Sequence, residues 1–384
     1  MKIIYNVDAI TEPLTGIGRY ALHLGQQLSH MAHAEHSKIE DICFFSSNRW
    51  ISDISTAATG NQWIAKLRQY VPFKHAALKH YHTMRSRNLA QLSQGMKGHI
   101  FHSPNFILMP FDGPSVATFH DLSFVHYRAT QPDYRLQFLD QEIPKTLAQA
   151  QHIITPSEHV RQEITSHYGY PEEQISVTPL GVSEAFQPRT KAECHNTLAV
   201  FGLSFRRFIL SVATSEPRKN LLRLINAYHN LPSTLKQKYP LVLVGGDGWK
   251  NKEIKKLIDR LTLKGEVVCT GYVNQEQLTR LYASAKLTAF PSLYEGFGLP
   301  IIESMASGTP VLTSKHSAME EVAAGHALLV NPEDSDDIKQ GLARALNDEQ
   351  WCIDASTTGV NQAQKHQWHD CALKTLKAYQ SINN

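Results

Sequence analysis

The stretch LTAFPSLYEGFGLPIIESMASGTPVLTS, residues 287–314, holds a complete supersecondary unit. LTAFPS and TPVLTS are short, apolar and bounded by Pro or Ser, and both read as buried strands. Between them LYEGFG is a loop, and LPIIESMASG is a helix begun by Pro300 and closed by Gly308, the positions that proline and glycine favour. Strand, loop, helix and strand is the repeating unit of a parallel sheet. Two carboxylates, Glu295 and Glu303, lie eight positions apart around the loop. Glu303 sits one turn inside the helix, where a carboxylate suits the positive end and also reaches a ligand hydroxyl. Gly296 and Gly298 let backbone N–H groups approach a ligand closely. Helix capping alone accounts for neither Glu295 nor these glycines. The pair can accept hydrogen bonds from two separate diols, such as those of a sugar and a ribose.

Outward from this unit the same scheme recurs. Strands are expected at RFILSVA (207–213), PLVLVGG (240–246), EVVCTG (266–271) and HALLV (326–330), with amphipathic helices between them. The first half shows it too: KIIYNV, HIFHS (99–103), SVATFHD (115–121) and HIITPS (152–157) read as strands. GIGRYALHLGQQLSHMA carries Tyr20, Leu24, Leu28 and Met31 at helical spacing. The stretch 177–194, with Pro179, Gly181 and Pro188 and little periodicity, reads as a linker. The expected architecture is α/β: two Rossmann-like domains, each a parallel sheet with helices on both faces, facing across a central cleft. Open sheets of this kind bind ligands outside the carboxyl ends of their strands.

Further candidates fall at such strand ends. In SVATSEPRKNLLRLINAY (211–228), Arg218, Lys219 and Asn220 are expected to open a helix whose buried stripe is Leu221, Leu224, Ile225 and Tyr228. Two cations and free helix N–H groups there make an anion site that needs no metal. LTGIGRY places Gly16 and Gly18 after the first strand, where their N–H groups could face phosphates. TFHDLSF places His120 at a strand end, with Asp121 orienting the local turn. The Asp334-Ser335-Asp336 triplet reads as a helix cap rather than a metal site. The chain contains neither a GxxxxGK[ST] phosphate loop nor HExxH, and GGDGWK (245–250) lacks dinucleotide spacing.

Composition bounds the rest. The 384 residues suffice for two domains, no apolar run is long enough to span a membrane, and the N-terminus lacks a signal-peptide pattern. Five scattered cysteines suggest reduced thiols and a cytoplasmic protein. A net charge of +3 gives no global pull towards nucleic acid. Residues 54–111, however, contain no Asp or Glu, and within 63–97 the cations Lys66, Arg68, Lys74, Lys79, Arg85, Arg87 and Lys97 alternate with aromatic side chains. That segment reads either as a surface for anionic lipid or as a solvated helical face.

Taken together, the Glu295-x7-Glu303 loop, EPRKN, GIGRY and FHDLSF resemble retaining glycosyltransferase family 4, of GT-B fold, over nearly the whole chain. FHDL with PRKN is most similar to bacterial mannosyltransferases that build surface polysaccharides from GDP-mannose. The resemblance implies an acceptor-binding domain over 1–185, a donor-binding domain over 186–365, and a final helix over 366–384 that returns to the first domain. It implies transfer of a hexose from a nucleotide-sugar donor to a saccharide or lipid-linked saccharide, with retention, without metal and with no cofactor. Arg218 and Lys219 would neutralise the departing diphosphate, Glu303 would bind the ribose, and Glu295, Gly296, Phe297, Gly298 and Leu299 would hold the donor sugar. Val273, in GYVNQEQL, would flank the base, Gly16 and Gly18 would meet the phosphates, and His120 would touch the sugar. Where some members carry Gly-Arg, this chain has Ala213-Thr214, which leaves Arg218 and Lys219 to do the neutralising. A UDP- or dTDP-sugar donor, a nucleotide-sugar 2-epimerase of similar architecture and a non-catalytic binding subunit are the competing readings.

Overall fold

The computed structural model describes residues 1–12, 14–60, 74–246 and 252–382. The chain forms two compact units, Met1–Gly181 with Trp368–Asn384, and Val182–Gln367. The sequence places these boundaries at 185/186 and 365/366. They fall slightly inside and outside those points because the Val182 N–H donates to the His366 carbonyl, tying the second unit's first residue to its end.

Among its described residues the second unit has six parallel strands: β8 (Ile209–Val212), β9 (Leu241–Val244), β10 (Val267–Gly271), β11 (Leu287–Phe290), β12 (Val311–Ser314) and β13 (Leu328–Val330). Their order is β10-β9-β8-β11-β12-β13, so the winding reverses between β8 and β11. Alternate residues enter opposite cores. Ile209, Leu241, Leu243 and Leu287 pack on one face, and Leu210, Val242 and Val244 on the other. Both faces are covered, which is why these strands read as continuous apolar runs.

Among its described residues the first unit has seven strands: β1 (Lys2–Asn6), β2 (Asp41–Ser46), β3 (Arg49–Ile51), β4 (His99–Ser103), β5 (Ser115–Thr118), β6 (His152–Thr155) and β7 (Ile175–Val177). Their order is β3-β2-β1-β4-β5-β6-β7, and β3 departs from the expected parallel scheme by pairing antiparallel with β2. The hairpin turns through Ser47 at φ 49, without glycine or proline. The helix Gly16–Ala32 buries Tyr20, Leu24 and Leu28. The last helix, Trp368–Ser381, belongs to this unit and packs along Gly16–Ala32, with the Trp368 ring stacked on His23 at 5.0 Å. No helix among the described residues is long and apolar enough to cross a membrane.

Candidate functional site

The winding reversal in the second sheet sets β8 beside β11, in register from Leu287 opposite Ile209. The loops leaving the two carboxyl ends therefore meet. The β8 loop passes close to Gly245, which takes φ +146, and a Cβ there would lie 2.1 Å from the Ala213 carbonyl oxygen. Pro217–Lys219 then form a single 3-10 turn, and Asn220 adopts a left-handed conformation before the helix Leu221–His229. This corrects one expectation. Arg218 and Lys219 precede the helix instead of opening it, and the N–H groups of Lys219 and Asn220 donate to the carbonyls of Glu216 and Pro217. Asn220 Nδ2 bridges Pro291 O (2.9 Å) and Pro332 O (2.7 Å), and Leu293 N–H donates to Arg218 O at 2.9 Å. The β8 and β11 loops are thus locked backbone to backbone.

The charged side chains join across this lock. Arg218 Nη1 donates to Tyr294 O at 2.6 Å and to Glu295 Oε2 at 2.8 Å, while Lys219 Nζ donates to Glu295 Oε1 at 2.6 Å over the face of Phe290. Each carboxylate oxygen thus holds one cation. Glu216 Oε2 lies 3.9 Å from Arg218 Nη2, and Thr214 Oγ1 donates to Glu216 Oε1 at 2.7 Å. Arg218 and Lys219 are therefore matched by Glu216 and Glu295. Burial raises the Glu295 pKa, but the Arg218 guanidinium and Lys219 ammonium outweigh it and hold the carboxyl below its ordinary range.

The remaining donor-side candidates are placed as follows. Gly298, at φ +102, is the cap of the helix Leu299–Ala306; a Cβ on it would lie 2.9 Å from Ile301 Cδ1. Glu303 is buried in the second turn of that helix, and Leu299 is half-buried at its start. Gly296 is buried, and the Phe297 ring packs 5.6 Å from His366. Val273 turns its side chain inward. It lies in the hydrophobic core with Leu278, Leu281 and Tyr282.

In the first unit, Gly16 is exposed at the helix start, but Gly18 does not offer its amide outward. Its N–H donates to Thr15 Oγ1 at 3.2 Å, and a Cβ on it would lie 2.9 Å from Ala9 O. The Gly18 N–H is thus engaged within its own turn, and the nearby Ala9 carbonyl leaves no room there for a side chain. His120 donates from Nε2 to Pro104 O at 3.0 Å, and its ring packs edge-on to Tyr20 at 4.8 Å. Burial pushes its pKa below the ordinary histidine value. Asp121 accepts from Ser123 N–H at 2.8 Å and shapes the turn.

Sequence reasoning missed His102. It is fully buried at the end of β4, with Nδ1 2.6 Å from the Tyr379 hydroxyl of the last helix and Nε2 2.9 Å from Thr118 Oγ1, which in turn lies 3.1 Å from Tyr20 Oη. Burial brings the His102 pKa down to about 3. The available signal was a histidine flanked by Phe101 and Ser103 at the carboxyl end of a short strand.

The basic segment also changes character. Trp63, Lys66, Arg68, Tyr70 and Phe73 lie outside the described residues. On the helix Lys74–Leu92, Arg85 pairs with Asp8 and Tyr81 Oη lies 3.0 Å from Ser47 Oγ, so both point into the unit; Lys79 and Arg87 stay exposed. Asp334 caps its helix by accepting from Asp336 and Asp337 N–H, and among the described residues no His, Cys, Asp or Glu cluster could hold a metal.

Residues 203–365 match the family described as glycosyl transferases group 1, and residues 14–186 match glycosyltransferase family 4. The chain is 34% identical, over the full length of both proteins, to an O-antigen chain mannosyltransferase B of Escherichia coli. Its fold is similar to that of the sucrose-phosphate synthase of Thermosynechococcus elongatus, with TM-score 0.73 and 20% identity over 99% of this chain and 98% of the other. It is also similar to WaaG, a glycosyltransferase involved in lipopolysaccharide biosynthesis, with TM-score 0.70 and 15% identity over 98% of each chain.

Proposed function

Since the chain belongs to glycosyltransferase family 4, with the GT-B fold, and is a hexosyltransferase, we propose that it moves mannose from GDP-mannose to a saccharide or lipid-linked saccharide acceptor of a bacterial surface polysaccharide, with retention and without a metal. The observation that carries this reading is the meeting of Arg218, Lys219 and Glu295 at the winding reversal of the second sheet. Full-length likeness to a protein named as a mannosyltransferase supports the choice of sugar.

Breaking a glycosyl–phosphate bond develops negative charge on the departing diphosphate. Arg218 and Lys219 are fixed cations suited to stabilising it, a role that a metal fills elsewhere. Glu303 is assigned to the ribose, Glu295 and the 296–299 backbone to the donor sugar, and His120 to the sugar from the first unit. A double displacement needs a free carboxylate nucleophile with a second carboxyl about 5 Å away. Glu295, held by two cations, is poorly suited to attack. A same-face route, in which the leaving phosphate takes the acceptor proton, accords better with that pairing. Peripheral membrane contact through Lys79 and Arg87 belongs to the same proposal, and Lys79→Ser with Arg87→Ser should weaken binding to anionic vesicles.

The test is transfer from GDP-mannose, UDP-glucose and dTDP-sugars to a mannoside acceptor, each with EDTA, with product anomers resolved by NMR. Transfer from GDP-mannose alone, with α-product and no EDTA effect, is expected. Transfer from UDP- or dTDP-sugars instead overturns the donor assignment, inverted product overturns retention, and loss of activity in EDTA overturns metal independence.

A further inference from the structure

We propose that Glu295 is an internal counter-ion which a nucleoside diphosphate must displace from Arg218 and Lys219, and which competes the product off those cations afterwards. The inference rests on the donor site assigned above and concerns how that site is filled and emptied.

Three observations lead to it. Both Glu295 oxygens are engaged, one by each cation, at 2.8 and 2.6 Å, so the site holds its own anion where the diphosphate is expected. Two backbone donors beside the cations are also occupied, since Lys219 and Asn220 N–H groups bond to Glu216 and Pro217 carbonyls. An incoming diphosphate therefore gains its cations chiefly by exchange with Glu295. Finally, the three side chains are only 10–16% exposed, so the ionic bonds sit where water screens them weakly and an unmatched charge is costly.

The exchange has a directional consequence. A carboxylate released from two cations needs new partners, and donor-sugar hydroxyls supply them. A nucleoside diphosphate without its sugar supplies none. The sugar nucleotide is thereby favoured over the bare diphosphate, and once the sugar has left, Glu295 returns to Arg218 and Lys219. Being tethered beside them, it competes at high effective concentration. Glu216, 3.9 Å from Arg218, stays in place throughout and keeps the guanidinium partly matched.

The experiment measures Kd for GDP and for GDP-mannose by calorimetry on wild type and Glu295→Gln. Wild type should bind GDP-mannose more tightly than GDP. E295Q keeps the side-chain shape but not the charge, so it should bind GDP about tenfold more tightly than wild type, while GDP-mannose gains less or loses, narrowing or reversing the order. Unchanged or weaker GDP binding in E295Q overturns the counter-ion role. Should E295Q melt early because Lys219 is left unmatched and Arg218 only partly matched, inorganic pyrophosphate should restore its melting temperature towards the wild-type value, and absence of that recovery also overturns the proposal. A wild type that binds no nucleoside diphosphate would instead strike at the donor site itself.

Discussion

Arg218 and Lys219 are adjacent and share one carboxylate, yet their other contacts differ, and comparing Arg218→Ala with Lys219→Ala tests what that difference does. Arg218 is 11% exposed, donates to the Tyr294 carbonyl as well as to Glu295, and sits where its own carbonyl receives Leu293 N–H. Its removal strips a buried carboxylate of one partner and leaves a buried carbonyl without that donor. Breaking such a pair costs about 3 kcal/mol, at the low end because Lys219 still matches Glu295. In a unit of this size that is a melting shift of about 6–12 °C. Lys219 is tied to Glu295 and lies over Phe290, without a bond from its ammonium to the loop backbone. Its loss leaves the buried Glu295 to Arg218 alone but orphans no backbone carbonyl, so it should cost about 2 kcal/mol and 4–8 °C. In transfer assays, however, Lys219→Ala should lower kcat by about 10²–10³, as removal of a transition-state donor does. Calorimetry and initial rates on both variants decide the matter. A Lys219→Ala protein that melts as early as Arg218→Ala, or that keeps kcat within about tenfold, would refute this division of labour.

Tyr379→Phe should leave His102 Nδ1 without its partner in a fully buried site, costing about 1–3 kcal/mol, read as a lowered urea midpoint. Gly245→Ala should cost about 2–3 kcal/mol and lower transfer, because its Cβ would meet the backbone at Ala213; Gly246→Ala, with nothing within 4 Å, should leave both melting and rate unchanged. Burial holds His102 at about 3 and His152 at about 4 in the folded chain, below the ordinary value near 6.5. Their stabilisation is therefore complete above pH 6.5 and is lost as pH falls towards those values, because the unfolded chain takes up protons that the folded chain refuses. Each should cost about 2 kcal/mol by pH 5, and equal urea midpoints at pH 7 and pH 5 would contradict this.

Most strands were legible because a doubly covered parallel strand is a short continuous apolar run, as in LVLV and LTAF. The β2–β3 hairpin was not, since its turn at Ser47 and Asn48 carries none of the glycine or proline that marks such turns. At the site, residue types were readable but their pairing was not. Glu295 lies 76 positions from Lys219, and the two meet only because β11 inserts beside β8 in the sheet order, which local periodicity does not encode. Asn220 hid a second lesson. Helical spacing runs smoothly from Leu221, but a left-handed residue at φ 60 cuts the Arg-Lys pair away from the helix. Gly18 and Val273 show how one residue type suits either a ligand or close packing: Gly18 lies against Ala9 and Thr15, and Val273 against Leu278 and Tyr282, contacts that the residue type alone does not reveal.

The first unit is interrupted in sequence, since residues 182–367 intervene before its last helix. A ribosome making about 5–20 residues per second spends on the order of 10–40 s on that interval. During it, Tyr20, His23 and His102 have no Trp368 or Tyr379 to cover them. The second unit, contiguous in the chain, can close its own sheet in that time. The half begun first is therefore the half completed last, and the nascent chain presents an unfinished aromatic and histidine surface for chaperones to shield.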